Sequence, residues 1–219
     1  MDFRFFERMF HMTDIPAAGF FCAGKTPLAL SVSVHCAYKM MDILKSNGFG
    51  VGACHTEITE PFYPQILQRA QGTLTHICKC CDLVITVGCD GFSVSDIMPD
   101  ITEKVCGKSA SYFSSVLCGS KEMFVQENRN PLRIYSSDNC GFQMFPSRAT
   151  AGIFERTLVL NFPGNVYTCT RLLNALMPAV GFTVYNLSEK SARNSAEFKN
   201  FLNSSLDFHE VFKKECIVN

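Results

Sequence analysis

The sequence predicts an α/β fold: a three-layer α/β/α sandwich around a mostly parallel sheet. Two short runs point to it, Asp82-Leu83-Val84-Ile85-Thr86-Val87 and Thr157-Leu158-Val159-Leu160-Asn161. Both are nearly continuously apolar, as strands are when a parallel sheet covers them on both faces. Each is followed by a glycine-bearing turn and then by a segment with helical periodicity. Strand–helix alternation of this kind implies right-handed crossovers. The composition permits a large core, with 47% hydrophobic and 18% charged residues in 219.

Taken in order, Phe20 to Leu30 is excluded as a central strand, because Pro27 would interrupt its ladder. The first helix is expected over Ser31–Asn47, with Val34, Ala37, Met41 and Leu44 on one face and Asn47-Gly48 as its stop. Gly50–His55 reads as a short strand. A second helix spans Pro64–Ile77, with Leu67, Ala70, Leu74 and Ile77 on one stripe. Strand Asp82–Val87 leads into the loop Gly88-Cys89-Asp90-Gly91-Phe92, and Asp96 is expected to cap the next helix. Residues 119–146 lack periodicity and read as a long loop or insertion holding one or two strands. Strand Thr157–Asn161 leads through Pro163-Gly164-Asn165 into a helix with Val166, Cys169, Leu173 and Leu176 on one face. One domain is expected over residues 1–185, with a polar helical tail over 186–219.

Composition also excludes functions. Twenty basic residues balance twenty acidic ones, so no basic face for nucleic acid is expected. No apolar run approaches the roughly 18 residues of a membrane span. Met1–Met12 carries Asp2, Arg4, Glu7 and Arg8 and has no long uncharged apolar stretch, so no leader peptide is expected. A cytoplasmic protein with reduced thiols is expected. Its twelve cysteines then serve mainly as small core residues. Cys36, Cys106 and Cys169 are assigned to helix packing. His76-Ile77-Cys78-Lys79-Cys80-Cys81 reads as a buried helix end rather than a zinc site, since no second cysteine pair stands at zinc spacing. His35 and His55 are isolated. The last four residues, Cys216 to Asn219, have the shape of a prenylation box without its usual last residue.

In open α/β sheets the ligand sits beyond the carboxyl ends of the strands. The loops Gly88–Asp96 and Asn161–Asn165 both leave strands there. Glycines let backbone N–H groups approach an anion, and a helix N-terminus favours negative charge.

Thr86-Val87-Gly88-Cys89-Asp90-Gly91, with Asp96 and Pro99-Asp100-Ile101-Thr102, resembles the T-T-G-G-T-G…D-x-x-P-E-x-T signature of molybdopterin adenylyltransferases. This is the Mog/MoaB-like family that includes the gephyrin G domain. Pro146-Ser147-Arg148-Ala149-Thr150-Ala151-Gly152 is similar to its L-S-R-x-x-A-G segment, and Thr157–Asn165 to its T-L-I-x-N-L-P-G-[SN] segment. The similarity covers residues 82–181. The resemblance implies transfer of AMP from ATP to the terminal phosphate of molybdopterin, with Mg²⁺ as cofactor. It also implies a homotrimer, and other molybdenum cofactor biosynthesis proteins as partners. Asp96 would be catalytic and metal-binding. Glu60 would supply a second catalytic acid, with Glu57 as the next choice. Gly88, Asp90, Gly91, Ser147, Arg148, Pro163, Gly164 and Asn165 would hold the ligands, the last three on the pterin phosphate side.

The chain departs from that pattern in the loop itself. Cys89 stands where the family has a glycine, and a Cβ makes positive φ unfavourable. Asp90 stands where it has a threonine. A carboxylate about 4–5 Å from a phosphate repels it by roughly 3–4 kcal/mol at an effective dielectric near 20. Asp90 therefore either weakens nucleotide binding or holds a cation. A catalytically reduced member that binds a pterin or acts as a scaffold is the alternative. The family's S-D near the first strand finds only Thr13-Asp14 as a counterpart.

Overall fold

A computed structural model describes residues 15–125 and 147–188. Eleven elements follow one another: β1 (Ala17–Gly24), α1 (Pro27–Ser46), β2 (Gly50–Ile58), α2 (Pro64–Cys80), β3 (Leu83–Val87), α3 (Met98–Val105), β4 (Lys108–Ser109), α4 (Ser111–Val125), β5 (Ala151–Phe154), β6 (Thr157–Phe162) and α5 (Val166–Leu187). The six strands form one sheet in the order β2-β1-β3-β6-β5-β4. β2, β1, β3 and β6 run parallel, and β5 and β4 add an antiparallel edge.

Alternation along the strands divides the core into two layers. Ala18, Phe20, Cys22, Leu83, Ile85, Val87, Leu158, Leu160 and Phe162 face α1, α4 and α5. Phe21, Ala23, Val84 and Val159 face α2 and α3. The expected three-layer sandwich is thus the observed one.

The first strand overturns an expectation. β1 is central, paired with β2 on one side and β3 on the other, and every residue from Ala17 to Gly24 is buried. Pro27 does not interrupt this strand, because it belongs to the next element. It stands at the first turn of α1, where a missing N–H costs nothing, and Thr26 caps the helix by accepting from the Ala29 N–H (3.2 Å). Helix α1 therefore starts four residues earlier than the expected Ser31.

Other boundaries shift in the same sense. β2 runs on to Ile58 and α2 to Cys80. Asp96 is not a helix cap: Ile97 holds that position, with no side-chain capping bond. Cys106 follows α3 rather than lying within it. Residues 119–125 belong to α4, and residues 126–146 lie outside the described part, as do Thr13-Asp14 and the tail from 189 on. Helix α5 continues to Leu187 and carries Pro178 inside it.

Asn161 is a buried polar residue in the middle of this core. Its side-chain N–H₂ donates to Thr86 Oγ1 (2.6 Å) and Thr102 Oγ1 (2.8 Å), and its Oδ1 accepts from the Thr150 N–H (3.1 Å). One side chain thereby links β3, β6, α3 and the segment entering β5. Asn161→Leu is expected to lower stability by about 2–4 kcal/mol, because it orphans several buried groups at once. Urea unfolding at constant slope measures it. A loss under about 0.5 kcal/mol would contradict the assigned network.

Candidate functional site

The carboxyl ends of β1, β2, β3 and β6 lie on one rim of the sheet, since these strands are parallel. Chain order reverses between β1 and β3, with α1 on one face and α2 on the other. Such a switch point opens a crevice for ligands.

Gly88 is the point where this rim closes. Its N–H donates to Phe162 O (2.9 Å), joining the first loop to the second. A Cβ on Gly88 would sit 2.5 Å from both Ala23 O and Ser33 Oγ, and its φ is +83°. Only glycine meets both demands. Ser33 donates to Ala23 O (2.8 Å), and Gly164 lies against Gly88, its ideal Cβ 3.8 Å from the Gly88 Cα. The loops Gly88–Asp96 and Phe162–Asn165 are thus neighbours, as the candidate site requires.

Cys89 has φ +53°, the left-handed conformation that a Cβ disfavours. The thiol is buried against Thr59 Oγ1 (3.4 Å), and burial pushes it up to about 11.

Asp96 is nearly covered, its side chain 7% exposed. Its Oδ2 accepts from the Ser93 N–H (2.8 Å) and from the Lys25 ammonium (2.9 Å). Gly91 makes room for it, since a Cβ there would approach Oδ2 to 2.7 Å. Glu60 joins from the end of β2, its Oε1 accepting from Ser95 Oγ (2.7 Å). Glu57, the alternative acid, is instead ion-paired to Arg69 of α2. The geometry therefore selects Glu60 as the acid beside the loop.

Ser147 and Arg148 close the other side. Ser147 Oγ donates to Asp90 Oδ2, and the Arg148 N–H donates to Asp90 O (2.8 Å). Asp90 is thus turned onto the Ser147 segment. The Arg148 guanidinium donates to Gly91 O (2.8 Å), Asp96 O (2.8 Å) and both carboxylate oxygens of Asp100 (3.0 and 2.8 Å). It clamps the loop onto α3. Pro163 O accepts from the Cys169 thiol, and Asn165 caps α5 by accepting from the Thr168 N–H (3.0 Å).

Lys25 is the charged side chain at this rim that sequence reasoning missed, ion-paired to Asp96. It lies in the two-residue turn between β1 and α1. Its signal was positional only: a cation directly after a strand end, invisible while β1 itself was excluded.

A divalent cation on Asp96 was expected, and the donor set as folded does not fit one. Mg²⁺ takes oxygen ligands in near-octahedral geometry. Here Asp96 Oδ2 holds an ammonium and an amide, Glu60 holds Ser95, Asp90 holds Ser147, and Asp100 holds Arg148. Among the described residues no group of three His, Cys, Asp or Glu side chains could hold a metal ion. The cysteine run at the end of α2 is likewise used in packing: Cys78 and Cys81 are buried, and burial pushes the Cys81 thiol up to about 12. Among the described residues no helix is long and apolar enough to cross a membrane.

Comparison with known proteins places this rim in context. No known family profile matches the chain. It is 33% and 32% identical, over 104 residues, to the molybdopterin adenylyltransferases of two Helicobacter pylori strains. That stretch is 48% of this chain, and the chain spans about half the length of these curated relatives, 50% in each. Among solved structures, a molybdopterin biosynthesis protein from Mycobacterium abscessus superposes with a TM-score of 0.62 at 19% identity, covering 82% of this chain and 99% of that one. The tungsten cofactor synthesizing protein MoaB from Pyrococcus furiosus gives 0.60 at 18% identity, covering 81% and 99%. The chain therefore has the fold of MoaB and Mog structures, and 48% of it resembles molybdopterin adenylyltransferases in sequence.

The Arg148 clamp has a pH signature. The guanidinium holds the Asp100 carboxyl below its usual 3.8. A depressed carboxyl stabilises the fold above its unfolded value, and that stability is lost as pH falls through the folded value. Asp100→Asn should thus cost up to about 1 kcal/mol at pH 7, the pair being partly exposed. The cost should fade below about pH 4. Thermal melts of both proteins from pH 7 down to about pH 2 check it; a penalty undiminished at the acid end contradicts the assignment.

Proposed function

We propose that the chain is a molybdenum cofactor biosynthesis protein that transfers AMP from ATP to molybdopterin. The observation that carries the reading is the junction of the two loops through Gly88 and Phe162, with Asp96 and Glu60 beside it. The sequence similarity to molybdopterin adenylyltransferases, though over half the chain, supports the same chemistry. A homotrimer, cytoplasmic residence and contacts with other molybdenum cofactor biosynthesis proteins belong to the same proposal.

Adenylyl transfer asks for positioning more than for covalent help. A terminal phosphate oxygen of molybdopterin forms a bond to the α-phosphorus of ATP. The bond to the bridging oxygen breaks, and pyrophosphate leaves. The attacking phosphate is already ionised near neutral pH, since its second pKa is about 6. Asp96 and Glu60 therefore need not abstract a proton. Their work is to hold the loop: Asp96 fixes Ser93 and Lys25, and Glu60 fixes Ser95. Pro163, Gly164 and Asn165 would receive the pterin phosphate beside the N-terminus of α5, and Gly88 and Gly91 the nucleotide phosphates.

The second reading is a binding or scaffold module of the same fold. It is favoured by Cys89 at positive φ and by Asp90 in the loop, which together oppose a close phosphate. Incubation with ATP, Mg²⁺ and molybdopterin separates the two. Adenylylated product supports the first reading; its absence while molybdopterin still binds supports the second. Cys89→Gly combined with Asp90→Thr is expected to raise transfer, or ATP affinity, by about tenfold or more, about 1.4 kcal/mol, by removing strain and repulsion. No gain would contradict the repulsion argument.

A further inference from the structure

We infer that Lys25 binds the phosphate of the ligand and offsets its charge where a divalent cation on Asp96 was expected. The inference rests on the nucleotide-site reading above and adds a specific residue to it. Three observations support it.

Lys25 sits directly after β1, in the turn whose neighbour across the switch point is the Gly88–Asp96 loop. Any ligand in that crevice meets it. The Lys25–Asp96 pair is also oriented. Its carboxylate is the buried end, with the side chain 7% exposed, while the lysine side chain is 36% exposed. The pair therefore presents its positive end outward. An ammonium has three protons to donate, and the bond to Asp96 takes one. Finally, Asp96 Oδ2 is already shared by that ammonium and the Ser93 N–H, so a metal ion on that oxygen would have to displace the ammonium.

Lysine is a compact point charge that suits phosphate. Asp96 would hold its long chain in place and lower the entropy lost on binding. The remaining loop acids, Asp90 and Glu60, each have a hydroxyl donor, Ser147 and Ser95. Opposite charge would draw the phosphate to the Lys25 ammonium.

The test is ATP binding by calorimetry, with the full chain, in EDTA and in Mg²⁺. Wild type is expected to bind in both, with affinities within about threefold, because the ammonium does not need the metal. Lys25→Met should weaken binding in EDTA by about tenfold or more, the loss of one charge-assisted bond. Because that change strands a buried carboxylate, Lys25→Met with Asp96→Asn is measured beside it and should lose binding equally while staying folded by circular dichroism. Lys25→Arg keeps the charge and should retain affinity within about threefold. Wild-type binding that strictly requires Mg²⁺, or a double variant that binds as wild type does in EDTA, overturns the role of Lys25 and leaves the nucleotide site standing. Absence of wild-type binding in both buffers overturns the nucleotide site, and this inference with it.

Discussion

The absence of a side chain at Gly88 is the constraint on which this rim depends. The ends of β1 and β6 and the first turns of α1 all approach that one Cα. A methyl group there would meet backbone oxygen at 2.5 Å, which no rotamer change relieves. The φ of +83° adds a second reason, because L side chains rarely adopt it. Close approach fixes where the first loop departs, and the hydrogen bond to Phe162 O fixes the second loop relative to it. Site geometry is thus a by-product of strand-end packing.

Around that point the charges are paired. Arg148 spends its guanidinium on two carbonyls and Asp100, and Lys25 is held by Asp96. The two pairs differ in burial and so in weight. Arg148–Asp100 is about a third to a half exposed, and such pairs contribute about 0–1 kcal/mol each. Lys25–Asp96 has one covered partner, so removing the lysine alone would strand a carboxylate. The first pair shapes the loop; the second leaves an ammonium as its more exposed end.

The legible parts of the sequence were those where local pattern and tertiary role agree. Leu83–Val87 and Thr157–Phe162 are central strands and look like central strands. Their glycine turns are visible for the same reason. β1 was missed because Ala17–Gly24 is rich in small residues and stands three positions before a proline that opens the following helix. Losing β1 hid Lys25 as well. Asp96 looked like a helix cap because it precedes an apolar helical stretch, yet Lys25 and Ser93 claim its carboxylate. The choice between Glu57 and Glu60 could not be read from spacing, since it turns on Arg69, a partner in another element. Arg148 was matched to ligand binding, and a short-range reading could not reveal that Gly91, Asp96 and Asp100 surround it.

Asn161 shares a rung with Thr86 in the parallel pairing of β3 and β6, two residues before the site loop begins on β3. A slip of one residue between these strands would turn its amide toward the opposite apolar layer. The bond is therefore a ruler: it sets how far each of the two strands extends before its loop starts. The separation of the loops is decided inside the core, out of reach of solvent and ligand. The loop residues themselves can then vary while the distance between the two halves of the crevice stays fixed.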